Sequence, residues 1–170
     1  NTPQAQRNPN ACGNAWSIGK VEMAANADAE MDALSQFDPK TTAIVDQRYS
    51  SYLEGKLEYK PAKVALTSYD PKYMEYSFEG GDAFVVFSEI YYEGSGNDWQ
   101  AFIDGEPAEH IRVNYTLRGL KVPAGKHEIL FEFKPASYYT GVKINMASSG
   151  ILLLLIAYLG WTTYKEQKEA

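Results

Sequence analysis

The chain has 170 residues, a formal charge of −6 and a pI near 5.0, so it holds one domain of ordinary size plus a further segment, and its acidity excludes a nucleic-acid partner. A single cysteine, Cys12, excludes an internal disulfide framework and a cysteine-based zinc cluster, and two histidines, His110 and His127, are too few for a histidine-rich metal site. Aromatic residues make up 14%, with 13 tyrosines, which suits β-structure better than a helical bundle.

Residues 1–14 (NTPQAQRNPNACGN) are rich in Asn, Gln and Pro, with no hydrophobic run and no initiator methionine. They read as a linker from a missing upstream region, so the chain is expected to be the C-terminal end of a larger membrane protein. Cys12 lacks the preceding apolar segment of a lipid-attachment site and reads as an uninvolved thiol. Residues 15–21 (AWSIGKV) alternate as a short strand. Residues 26–37 open with Asn and Asp caps and carry Met31 and Leu34 at helical spacing, predicting one short helix ended by Asp38-Pro39.

From there the period is two. Strands are expected at residues 41–45, 55–59, 63–68 and 73–78, with Pro61 and Asp70-Pro71 as breaks. Residues 83–90 (AFVVFSEI) are almost continuously apolar, the pattern of a central strand buried on both faces. Residues 93–98 (EGSGND) read as a flexible loop, and residues 99–103 run into Asp104-Gly105, a two-residue hairpin signal. Short strands follow at 110–113 and 115–122, on either side of Asn114. Pro123-Ala124-Gly125-Lys126 then turns the chain into 127–133, where Ile129, Phe131 and Phe133 share a face. The fold class predicted is all-β: an antiparallel β-sandwich, jelly-roll-like, over residues 15–138, with one short N-terminal helix.

A transmembrane helix is expected at residues 139–164. Met146 to Trp161 carries no charge, and counted back through Val142 and Ile144 the apolar segment reaches about twenty residues, enough to cross a hydrocarbon core. A buried core helix is the alternative, but the run from Ile151 to Ile156 shows no polar face. Tyr138, Tyr139, Lys143, Trp161 and Tyr164 fall where side chains anchor at the membrane interface. Residues 165–170 form a charged cytoplasmic tail, with Lys165 and Lys168 on the inside. Residues 135–141, at about 3.5 Å each, hold the sandwich within about 25 Å of the bilayer.

No nucleophile–base arrangement and no phosphate-cradling loop is found, so no catalytic residue and no cofactor is expected. Glu89, Glu93, Asp98 and Asp104 cluster in sequence about Trp99, as paired carboxylates do in glycoside hydrolysis. The hairpin accounts for Asp104, and solvated loop positions account for Glu93 and Asp98. Glu89, beside the apolar run, calls for a cation, and Arg112 or Arg118 would supply it in a structural ion pair. Trp99, Tyr91, Tyr92 and Tyr115 offer flat faces to sugar rings, with Arg112 and Asn114 as polar contacts. The opposing reading makes Trp99 the core tryptophan of the sandwich. Asn114-Tyr115-Thr116 also matches a glycosylation sequon.

Four blocks of sequence together resemble the C-terminal end of YfhO-type bacterial membrane proteins. They are Asn10-Ala11-Cys12-Gly13-Asn14-Ala15-Trp16; Phe87-Ser88-Glu89-Ile90-Tyr91-Tyr92 with Trp99 and Asp104-Gly105; His110-Ile111-Arg112-Val113-Asn114-Tyr115 with Val122-Pro123-Ala124-Gly125-Lys126-His127; and Ser137-Tyr138-Tyr139 with Gly141. The resemblance implies a multi-spanning, glycosyltransferase-like protein of the cell envelope that uses lipid-linked sugars and ends in an extracytoplasmic sandwich and one last helix. The family's tight proline turn before the tryptophan is replaced here by residues 93–98, and the family's catalytic carboxylates lie upstream of this segment. The implied location is the bacterial cytoplasmic membrane, with the sandwich outside and the C-terminus in the cytoplasm. Three roles follow: a non-catalytic accessory ectodomain in envelope glycosylation, a glycan-binding module around Trp99, or a structural domain packing on the rest of the protein. The partners expected are the lipid bilayer, the remaining segments of that protein, and glycans or lipid-linked sugars.

Overall fold

The computed structural model describes residues 8–94 and 98–169, so residues 95–97 of the expected loop and residues 1–7 of the expected linker lie outside the described residues. Contacts divide the chain into two units, one holding the strands to Glu93 and from Trp99 to Lys134, the other the short segment Gly94–Asp98 with Pro135 and the helix that follows.

The first unit begins with β1 (Ala15–Ile18), β2 (Lys20–Ala24), α1 (Ala27–Ala33), β3 (Thr42–Asp46) and α2 (Ser50–Leu53). It continues through β4 (Ala62–Asp70), β5 (Tyr73–Gly80), β6 (Ala83–Ile90), β7 (Trp99–Ile103) and β8 (Glu106–Ala108). It ends with β9 (Ile111–Val113), β10 (Leu117–Val122) and β11 (Gly125–Phe133). One sheet has the order β1-β6-β10-β9 and the other β4-β5-β11-β7-β8, with every neighbouring pair antiparallel. The chain passes between sheets after β5, β6, β8 and β10, giving the jelly-roll-like sandwich.

Period-two patterning makes this possible. Tyr76 and Phe78 of β5, Val85 and Phe87 of β6, Leu120 and Val122 of β10, and Ile129 and Phe131 of β11 meet between the sheets. Phe87 sits edge-on to Tyr76 and to Phe131, each at 4.8 Å between ring centres, a geometry that matches the ring quadrupoles. The intervening residues of β6, Phe84 and Val86, face the other way into a second core with Ile18, Val21, Val45, Leu53, Ile111 and Val113. The outer layer of that core is a small β2–α1–β3 unit whose strands pair in parallel, a third layer the strand pattern did not predict. Both faces of β6 are therefore covered, which explains its unbroken apolar run.

Two expected elements differ. The strand at 15–21 breaks at Gly19, whose N–H donates to Thr41 O at 2.8 Å, so β1 stays in the sandwich and β2 leaves for the third layer. The strand expected at 55–59 is not formed. The chain enters α2 instead, leaves it through left-handed Glu54 (φ 52°) and Gly55 (φ 78°), and makes a single bridge, Lys20 to Glu58. The helix expected at 26–37 forms as α1, with the Asn26 side chain accepting from Ala29 N–H at 2.9 Å.

The second unit contains α3 (Ala136–Glu169), 34 residues with a mean hydropathy of 1.8 over its most apolar stretch, long and apolar enough to cross a membrane. Lys143 and Lys165 bracket its uncharged segment, about 33 Å apart at 1.5 Å per residue. A hydrocarbon core is about 30 Å thick. Tyr138 and Tyr139 pack edge-to-face at 5.4 Å just before Lys143, and Trp161 and Tyr164 are exposed near the far lysine.

Candidate functional site

The inner faces of the two sheets run out of apolar residues at one end, and a cleft opens there. On β6 the inward row Ala83, Val85, Phe87 ends with Glu89. On β10 Arg118 pairs with Phe87 in the same register as Leu120 and Val122 and continues their inward row, and the register shifts only beyond it, at Leu117. Trp99 pairs with Phe133 across β7 and β11, their rings 5.1 Å apart. Together with Pro71, Ile90 and Tyr92 these residues enclose an open cleft of about 400 Å³.

Arg118 forms its floor. The guanidinium lies 4.1 Å from the Trp99 ring centre and 5.3 Å from that of Phe131, a cation sandwiched between aromatic faces. Its Nε donates to Ile90 O at 3.1 Å, whereas its Nη1 is buried without an acceptor. Burial lowers its pKa to about 10, partly offset by the charge of Glu89. Burial likewise lowers His110, packed between Tyr91 and Phe131, to about 4, so its imidazole is neutral. Trp99 is half-buried and Tyr92 is 55% exposed, so the cleft has one fixed and one free ring.

The other candidate residues lie elsewhere. Tyr91 turns toward His110, with its hydroxyl beside Tyr49 and Glu93, and desolvation raises its pKa. Arg112, Asn114 and Tyr115 join the sandwich to the third layer. Asn114 Oδ1 accepts from Ile44 N–H and Asn114 N–H donates to Ile44 O, both at 2.8 Å. With the side chain so engaged and 7% exposed, the sequon is closed to modification. Arg112 donates to Glu30 at 2.8 Å and lies 3.7 Å from Asp46, and its guanidinium is 5.2 Å from the Tyr115 ring.

The ion pair expected of Glu89 with Arg112 or Arg118 is therefore corrected. Arg112 belongs to Glu30, because β9 lies at the far edge of its sheet beside α1 and β3. Arg118 faces the cleft with Glu89 but pairs with neither it nor any other carboxylate among the described residues. Glu30, 0% exposed, also accepts from Tyr115 N–H at 2.8 Å. Its place in the first turn of α1 reads in sequence only as a favourable helix-dipole charge. Phe133, Ile90 and Pro71 carry no site signal in sequence at all.

Asp104 sits at the β7–β8 turn, not in the cleft. It accepts from Glu128 N–H at 2.8 Å and from His127 Nδ1–H at 2.6 Å. Among the described residues no group of three or more His, Cys, Asp or Glu side chains is arranged to hold a metal ion. Fold and site together define a β-sandwich with an aromatic cleft, followed by one apolar helix of membrane-spanning length. No family model, curated protein or solved structure matches the chain.

Proposed function

We propose that this chain is a non-catalytic, membrane-anchored accessory domain of a YfhO-type envelope-glycosylation protein, and that the cleft at Trp99 binds glycan. The observation that carries the proposal is the cleft itself. Trp99 is held rigid on Arg118, Tyr92 stands free beside it, and Glu89 and Arg118 offer hydrogen-bonding groups between the rings. Pyranose recognition needs that combination of apolar ring faces and a few convergent polar groups. In this reading the sandwich lies outside the bacterial cytoplasmic membrane, α3 spans it, and the C-terminus is cytoplasmic. The exposed side chains of Tyr69, Tyr73 and Ile90 (61%, 40% and 71%) support a second role, packing against the remaining segments of the parent protein.

Glycan binding by the full chain in detergent micelles, compared with Tyr92→Ala, tests the first reading. Tyr92 is exposed enough for the variant to fold, and losing one stacked ring is expected to weaken binding about 5- to 10-fold. Saturable binding unaffected by Tyr92→Ala would move the glycan site away from this cleft. No binding to a broad glycan panel would leave packing as the domain's role.

A further inference from the structure

Glu89 and Arg118 line one cleft yet form no ion pair. The strands keep them apart: Glu89 lies two residues beyond Phe87 on β6, whereas Arg118 is level with Phe87 on β10. The result is a buried donor, Arg118 Nη1, with no acceptor among the described residues, on a side chain that lines the same cleft as the half-buried Glu89 carboxylate. A buried guanidinium donor left unmade is costly, so a ligand that completes it gains more than one contacting a solvated arginine.

The chemistry of that ligand follows from the pair. A hydroxyl accepts from the guanidinium and donates to the carboxylate, satisfying both at once. A ligand carboxylate or phosphate would satisfy Arg118 but would be repelled by Glu89, and an ammonium would do the reverse. The aromatic wall formed by Trp99, Tyr92 and Phe133 adds a requirement for a flat apolar face. We propose that the cleft takes an uncharged pyranose ring, one face on the aromatic wall, with a hydroxyl or an adjacent pair bridging Arg118 and Glu89. This rests on the glycan reading above and sets its ligand class: neutral sugars over uronic acids.

The experiment is calorimetric titration of the full chain in detergent micelles with matched oligosaccharides of equal length, glucose against glucuronate and galactose against galacturonate. Wild type, Glu89→Gln and Tyr92→Ala are compared. The neutral member of a binding pair is expected to bind at least about tenfold tighter. Glu89→Gln should weaken it about tenfold and narrow the gap to the uronate, because the variant removes both the charged acceptor and the repulsion. Because the Glu89 charge favours the buried Arg118 cation, Glu89→Gln is first matched to wild type by thermal unfolding, and Glu89→Asp, which keeps the charge, is titrated beside it and should retain the preference for the neutral sugar. A uronate that binds as tightly as its neutral partner, or a gap unchanged in Glu89→Gln, overturns the neutral-ring assignment. If that uronate binding is weakened by Tyr92→Ala, the cleft survives as the glycan site. If no member of either pair binds wild type, the assignment falls together with the glycan reading.

Discussion

Asp104 and His127 show how one residue pair fixes a turn and makes it sensitive to pH. Asp104 occupies a left-handed position (φ 53°) that aspartate and asparagine tolerate better than most residues, with Gly105 (φ 85°) completing the hairpin. The hydrogen bond from His127 is the main reason the Asp104 carboxyl lies below its ordinary 3.8, and the same bond is the main reason His127 lies above its ordinary 6.5. The carboxylate contributes stability above pH 3.8 and loses it as pH falls through its folded value. The imidazolium contributes fully below pH 6.5 and loses it as pH rises through its own folded value. The pair is thus at full strength between about pH 4 and 6.5. Asp104→Asn keeps an acceptor for Glu128 N–H and removes only the charge. Thermal unfolding followed across pH is expected to show its largest deficit relative to wild type inside that window, shrinking toward pH 9. A deficit independent of pH would mean the turn, not the ion pair, is what Asp104 supplies.

At the level of elements, β6 and β10 carry both cores, and Gly119 is the tightest point between them. A Cβ built there would come within 2.6 Å of both Phe84 and Val113 side chains, closer than any relaxed contact. Neither neighbour can move freely, since each is 0% exposed in the second core. Gly119→Ala is expected to cost about 1–3 kcal/mol through overpacking, measurable by denaturant titration, with the third layer loosening first. A neutral result would mean that core repacks easily. The same elements show what a sequence carries. Residues 83–90 betray a doubly buried strand because their apolar run has no alternation, and Asp104-Gly105 betrays its hairpin because few residues take those angles. The third layer leaves no such mark: Glu30 and its partner Arg112 are 82 positions apart, and no local pattern links them. Arg118 follows the plain alternation of Leu120 and Val122, so its inward face is legible locally, but the partner level with it, Phe87, is set by cross-strand pairing. Trp99, Tyr92, Glu89 and Arg118 were therefore recognisable as candidates, whereas their convergence, and the departure of Arg112, Asn114 and Tyr115, was decided by register.

At the level of the whole molecule, the sidedness of α3 is set by weak charges. Lys165 and Lys168 follow the apolar segment, and Lys134 and Lys143 precede it, so the excess of positive charge that usually fixes the cytoplasmic end is nearly balanced. Orientation then depends on which end is easier to translocate, and a folded sandwich with a net acidic charge imposes little penalty of the positive-inside kind. We therefore predict the sandwich outside and the tail inside. Cys12, the sole cysteine and partly exposed, is a native probe for this. In intact bacterial cells a membrane-impermeant maleimide is expected to label Cys12 directly. In a Cys12→Ser background, Lys168→Cys should be labelled only after the membrane is permeabilised. The reverse pattern would invert the topology and remove the cleft from any external glycan. Labelling of both positions without permeabilisation would show that α3 does not span the membrane.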